Sequence, residues 1–303
     1  MEISFNNVSK NYSKFKALDD VSFHYNGHGA IGYLGPNGAG KTTTLKVMTN
    51  LLHPTSGTAE LNGIDVNKHP KRAMLNVGSM IETPTPYPFL TVKESLQFVA
   101  ELRGIDKKTM ESRIDEFYDA LKLPPLKSRM GQLSKGQRQR AVFASVLISD
   151  PDIVILDEPT SGLDPFERKI FRDFILKLKK TKLVFFSSHI LSEVSETCDD
   201  VIFINHGKIL KQGKIEEISQ EFNTSAVSVE FLKPVDDSMV KQLDTIGSGV
   251  LKTEGRTAVI KFSGKESDRA EILQDVIKLA PVISYTSYGS DLEYAYISIL
   301  GEK

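Results

Sequence analysis

The apolar positions of the first 215 or so residues alternate between two rhythms. Runs at residues 30–34, 153–156, 183–186 and 201–204 have the length of buried strands, and apolar residues recur at helical spacing between them. Strands alternating with helices predict an α/β core built on a parallel sheet. The run at 30–34 enters a glycine-rich turn, and a helix is expected from about Gly40 to Leu52. Between about residues 91 and 149 the strand rhythm stops. There Thr91 and Glu94 have capping-box spacing, and Leu96, Val99, Ala100 and Leu102 follow at helical intervals, which predicts a helical insertion. After Asp150 the α/β rhythm resumes. Asp164, Pro165 and Glu167 then supply an N-cap, a proline at the first helical position and an acidic third residue. Lys177, Lys179 and Lys180 sit near that helix's C-terminus, where its dipole favours positive charge.

A shift in composition at residues 221–225 marks a second, smaller α+β domain. Residues 227–231 alternate like a strand, 236–245 read as a helix, and a hairpin turns around Gly255. A helix carrying Ile272, Leu273, Val276 and Leu279 and a strand over 282–288 complete it. The expected division is therefore 1–220, with its helical part at about 91–149, and 221–303. The second part carries no chemical motif.

Composition narrows the function classes. The apolar runs fall well short of the roughly 20 residues needed to cross a bilayer. A formal net charge of −1 provides no field for a polyanion, so nucleic acid is not expected as a partner. One cysteine, Cys198, allows no internal disulfide, which suits a cytoplasmic setting. The chain starts without a basic region followed by an apolar one, so no signal peptide is expected.

The chemistry concentrates where strands end. Gly35, Pro36, Asn37, Gly38, Ala39, Gly40, Lys41 and Thr42 fit G-x-x-x-x-G-K-[ST], with Thr43 next, between a predicted strand and a predicted helix. Such a loop turns backbone N–H groups inward around the phosphates of a nucleotide such as ATP. Lys41 would neutralise the β- and γ-phosphates, and the Thr42 hydroxyl would coordinate Mg²⁺. The apolar run 153–156 delivers Asp157 and Glu158 to the carboxyl edge of the sheet. Asp157 would hold Mg²⁺, and Glu158 would polarise the water that attacks the γ-phosphorus. These two motifs alone fit kinases, GTPases, helicases and transporters equally.

Leu133, Ser134, Lys135, Gly136 and Gln137, followed by Arg138 and Arg140, resemble the signature of ATP-binding cassette proteins, with lysine where glycine is usual. The segment also makes local sense, because Ser134 with Gln137 has capping-box spacing and leaves free N–H groups at a positive helix end. Ser161 to Asp164 resembles the family's D-loop, and Ser187, Ser188 and His189 resemble its switch-histidine strand end. The likeness covers residues 1 to about 215. It implies a P-loop core flanked by an antiparallel β subdomain and a helical subdomain. It further implies two cassettes, identical or paired, with ATP at their interface. Ser134, Gly136, Gln137 and Asp164 would close over the partner's nucleotide. His189 would touch the γ-phosphate and the attacking water, and Tyr12, or alternatively Phe15, would stack on adenine. The membrane permease would be a separate chain, served from the cytoplasmic face.

Most cassettes carry glutamine where this chain has Glu82, yet a carboxylate can still coordinate Mg²⁺. With the prolines that follow, Glu82 resembles the branch that exports bacitracin and lantibiotics, and the run at residues 84–88 would be the permease-coupling surface. A soluble cassette ATPase acting without a permease is the alternative. That type has two cassettes or a long coiled-coil insertion, neither of which occurs in this sequence.

Overall fold

The structure is a computed structural model that describes residues 1–82, 87–221, 226–288, 292, 295–296 and 298–299, with the side chain of Gln220 left out. It divides into two compact units, Met1–Ile215 and Glu216–Lys303.

The first unit opens with an antiparallel sheet. Strands β1 (Glu2–Tyr12) and β2 (Phe15–Asn26) form a hairpin, and β4 (Ser56–Leu61) and β5 (Ile64–Asp65) extend it in the order β2-β1-β4-β5. Strand β3 (Gly29–Leu34) belongs instead to a six-stranded sheet. Its companions are β6 (Val77–Met80), β7 (Ile153–Asp157), β8 (Leu183–Ser188), β9 (Asp200–Asn205) and β10 (Lys208–Lys214), in the order β10-β9-β3-β8-β7-β6. All neighbours are parallel except β10, which pairs antiparallel on the edge. Strands β7 and β8 are buried at every residue, because a parallel sheet is covered on both faces. Phe23 joins the two sheets: its ring stacks on Phe5 at 4.6 Å and on Phe185 at 5.7 Å. They share a core with Ile3, Leu18, Leu45, Ile155 and Ile202.

Helix α1 (Lys41–Met48) follows the glycine loop and ends four residues before the expected Leu52. Asn50 enters the left-handed region at φ 56°, and the N–H groups of Leu51 and Leu52 both fold back onto Lys46 O, closing the helix early. A short α2 (Pro70–Ala73) precedes β6. The helical insertion consists of α3 (Val92–Leu102), α4 (Lys107–Ala120), a 3₁₀ turn (Met130–Gln132) and α5 (Lys135–Leu147). Both capping boxes close: Thr91 N–H donates to Glu94 Oε2 at 2.8 Å, and Ser134 N–H to Gln137 Oε1 at 3.1 Å, each with the reciprocal bond. Helices α6 (Pro165–Leu178) and α7 (Leu191–Thr197) cover the rest, α6 capped by Asp164 Oδ1 accepting from Glu167 N–H at 2.9 Å.

Helix α8 (Ile215–Glu221) begins at the boundary. The second unit runs β11 (Ala226–Phe231), α9 (Asp237–Leu243), β12 (Val250–Glu254), β13 (Thr257–Lys261), α10 (Glu266–Leu279), β14 (Val282–Ser287). Its strand order β12-β13-β11-β14, antiparallel throughout, is the split β-α-β arrangement. Val227, Val229 and Ile260 from the sheet meet Leu243, Ile272 and Val276 from the helices in its core. The composition shift at 221–225 lies, apart from Glu221, outside the described residues.

Candidate functional site

Strands β3, β8 and β7 are consecutive neighbours, so the segments leaving their carboxyl ends share one edge of the sheet. The glycine loop leaves β3. Gly40 has φ 110° and serves as the N-cap of α1 without a side-chain bond, so the first N–H groups of that helix keep no intrahelical or capping acceptor. A Cβ on Gly40 would lie 2.8 Å from Ala17 O, and one on Gly35 would collide with Ile204 O, so both positions exclude larger residues.

Lys41 folds back into this loop, 6% exposed, and its ammonium donates to Gly35 O at 2.8 Å and Pro36 O at 3.3 Å. The same nitrogen lies 3.3 Å from Glu158 Oε1. Asp157, also buried, accepts on Oδ2 from the Thr42 hydroxyl at 2.9 Å and on Oδ1 from the Ser187 hydroxyl at 2.6 Å. Ser187 Oγ in turn accepts Glu158 N–H at 2.9 Å. The backbone of Glu158 is left-handed at φ 43°, an uncommon conformation for a non-glycine residue that turns its side chain out of the strand direction. Its Oε2 lies 3.0 Å from His189 Nδ1. One carboxylate is thus held between a buried ammonium and an imidazole.

Glu82 stands at the end of β6 with φ 57°; its N–H donates to Asp157 Oδ2 at 3.3 Å, and its exposed carboxylate forms a close ion pair with Lys46 of α1. Tyr12 and Phe15 face one another at the β1–β2 turn and line a groove of about 260 Å³ with Asn37, Lys41, Thr43 and Glu158. Both aromatics are at least 45% exposed, and Lys10 lies 5.4 Å from the Tyr12 ring centroid.

Residues 35–43, Glu82, Asp157, Glu158 and His189 are therefore brought to one edge. Ser134, Gly136 and Gln137 are not: they start α5 and line neither of the two cavities that contain Thr42 and Glu158. Their α5 neighbours Lys135, Arg138 and Gln139 line the larger of these, about 350 Å³. Asp164 acts in this chain as a helix cap. Gly136 has no room for a Cβ, because the Glu167 carboxylate, paired with buried Arg140, occupies that space. Sequence reasoning missed the bonding of Ser187 and the pairing of Lys46. Ser187 sits opposite Asp157 across the β7–β8 register, and only that register could have revealed it. Of the coupling run, residues 84–86 lie outside the described residues. Within it, Tyr87 is exposed with its ring 5.7 Å from both Phe89 and Phe98.

Among known proteins, a family model described as ABC transporter matches residues 18–161. ABC transporter ATP-binding protein NatA of Bacillus subtilis is 37% identical over 220 residues, 72% of this chain and 89% of that protein. Bacitracin transport ATP-binding protein BcrA of Bacillus licheniformis is 38% identical over 213 residues, 69% of each. A solved structure titled as the dimeric, post-hydrolysis state of the ATP-binding cassette MJ0796 bound to ADP and Pi shares the fold at TM-score 0.65 and 23% identity. The match covers 70% of this chain and 98% of that one.

Proposed function

Because this chain belongs to the ATP-binding proteins of ABC transporters, we propose that it binds and hydrolyses ATP between two cassettes and thereby drives a separate membrane permease. The observation that carries the catalytic part is the Glu158 carboxylate, 3.3 Å from Lys41 Nζ and 3.0 Å from His189 Nδ1, one residue after an aspartate bonded to Thr42.

In this reading the uncapped N–H groups at the start of α1 and the Lys41 ammonium receive the β- and γ-phosphates, while Tyr12 stacks on adenine, with Phe15 beside it. The hydroxyl of Thr42 and the carboxylate of Asp157 are adjacent hard oxygen donors, a set that suits Mg²⁺, with Glu82 as a third donor once released from Lys46. The bound ion would neutralise charge on the β- and γ-oxygens. Glu158 accepts the proton of the attacking water, and His189, with Nδ1 turned to Glu158, leaves Nε2 for the γ-phosphate. Ser134, Gly136, Gln137 and Asp164 act on the nucleotide of the second cassette, a reading supported by their absence from the two cavities that hold Thr42 and Glu158 of their own chain. The dimeric form of the MJ0796 cassette supports this arrangement.

Residues 1–220 are assigned the ATPase role, and residues 221–303 form an accessory domain. No helix among the described residues is long and apolar enough to cross a membrane. In the proposed reading the chain works peripherally, at the cytoplasmic face, through a permease contact at residues 84–88. The aromatic cluster of Tyr87, Phe89 and Phe98 offers an apolar seat beside that run. The likeness carried by Glu82 favours export, and the bacitracin transport relative favours a drug, peptide antibiotic or similar amphiphile as the cargo. Glu158→Gln tests the catalytic assignment: ATP binding persists while phosphate release falls by about 10²- to 10⁴-fold, and wild-type release would refute it.

A further inference from the structure

Strand β7 ends at Asp157 and β8 at Ser188, so sheet hydrogen bonding stops where the chemistry begins. Beyond that edge the chain that carries Glu158 continues through Thr160, and the one that carries His189 turns into α7. A single atom joins these continuations. Glu193 Oε2, on α7, accepts from the Thr160 hydroxyl at 2.7 Å and from the Ser188 hydroxyl at 3.1 Å. Thr160 and Ser188 are both buried, at 7% and 3% exposed. Ser188 Oγ also accepts Ile190 N–H at 2.9 Å, which shapes the turn holding His189. The other oxygen of Glu193, Oε1, is buried and has no hydrogen-bond partner among the described residues. A carboxylate with one oxygen desolvated and unmatched is costly to keep, and an ordinary first-turn acidic residue would face water instead.

We propose that Glu193 is a positioning residue for hydrolysis: it holds the segments bearing Glu158 and His189 in register, so that the imidazole stays within hydrogen-bond reach of the carboxylate. This rests on the reading that Glu158 and His189 serve turnover. Through Thr160 it fixes the turn after Glu158, and through Ser188 the turn into His189. The α7 dipole favours its negative charge, since Glu193 lies in the first turn of that helix.

The test is a double-mutant cycle on the full chain, reading kcat and KM for ATP with the melting temperature measured in parallel. Glu193→Ala is expected to lower kcat by about 10- to 100-fold, the scale of a small misplacement of reacting groups, with KM changed less than about 2-fold. Glu193→Gln, which retains an acceptor oxygen, restores most of the loss, and Thr160→Val, which removes one donor while keeping shape, reproduces part of it. In a His189→Ala background, Glu193→Ala produces little further loss, because the residue acts through the histidine. An equal loss in both backgrounds, or unchanged kcat in folded Glu193→Ala and Thr160→Val, overturns the proposal. Should Glu193→Ala fail to fold, Thr160→Val carries the same cycle. If Glu158→Gln and His189→Ala themselves keep wild-type turnover, the underlying reading fails instead, so the two failures are distinguishable.

Discussion

Two regions of the first unit that the proposed function assigns to the same nucleotide chemistry are built in opposite ways. At the carboxyl edge of the parallel sheet, Lys41, Asp157, Ser187, Glu158 and His189 form a continuous chain of short contacts, with Lys41, Asp157 and Ser187 nearly inaccessible. At the start of α5, Ser134 is exposed, and its hydroxyl and N–H bond within the same turn to Gln137, while its carbonyl accepts from Arg138 N–H at 2.9 Å. The first region is assembled within one chain; the second is an N-terminal helix end turned outward. In the proposed reading, half of the nucleotide site is preorganised and the other half is offered to a second copy, which would make closure dependent on ligand.

Lys41→Ala would strike this contrast hardest apart from the loss of turnover in Glu158→Gln. Removing a charged donor from the phosphates, and leaving the Glu158 carboxylate without its ammonium, is expected to weaken ATP binding by about 10- to 100-fold. Unchanged affinity by calorimetry would break the assignment of the preorganised half. Ser134→Ala sharpens the other half: the monomer should bind ATP as before, while ATP-driven dimerisation weakens and chemical denaturation shows a stability loss of about 1 kcal/mol from the missing cap. Equal dimerisation of the variant would show that α5 contributes nothing across the interface.

The smallest effect concerns packing behind the preorganised edge. Cys198 is buried against Gly32 of β3, where an added Cβ would lie 3.1 Å from its sulfur, and burial pushes the thiol well above its ordinary pKa. Less thiolate at neutral pH means slow alkylation of the native protein, rising as pH increases and complete on unfolding. Rapid native labelling at neutral pH would indicate that α7 leaves the sheet readily, which would argue against a preorganised edge.

Much of this organisation is readable from short spacings. The caps at Thr91, Ser134 and Asp164 each depend on residues three apart, and the structure forms all three. The glycine loop, the paired acids and His189 each follow an apolar run, and each lies at a strand end. What stayed hidden depends on register and on helix packing. The link from Ser187 to Asp157 spans 30 residues and requires β7 beside β8. Lys46 meets Glu82 across 36 positions, because α1 and the end of β6 approach the same edge. Glu193 reaches Thr160 only once α7 is docked, and nothing in its local sequence sets it apart from Glu196. The early end of α1 escaped because Asn50 closes the helix by a backbone conformation, whereas its apolar pattern runs on through Leu51 and Leu52.

The most direct test weighs the particle that Glu158→Gln forms in solution, by light scattering on a sizing column, with Mg²⁺ and with or without ATP. A dimer mass that appears only with ATP and disappears when Ser134→Ala is added to the same chain is the predicted result. A monomer mass under saturating, bound ATP, with the permease supplied, would contradict the shared site.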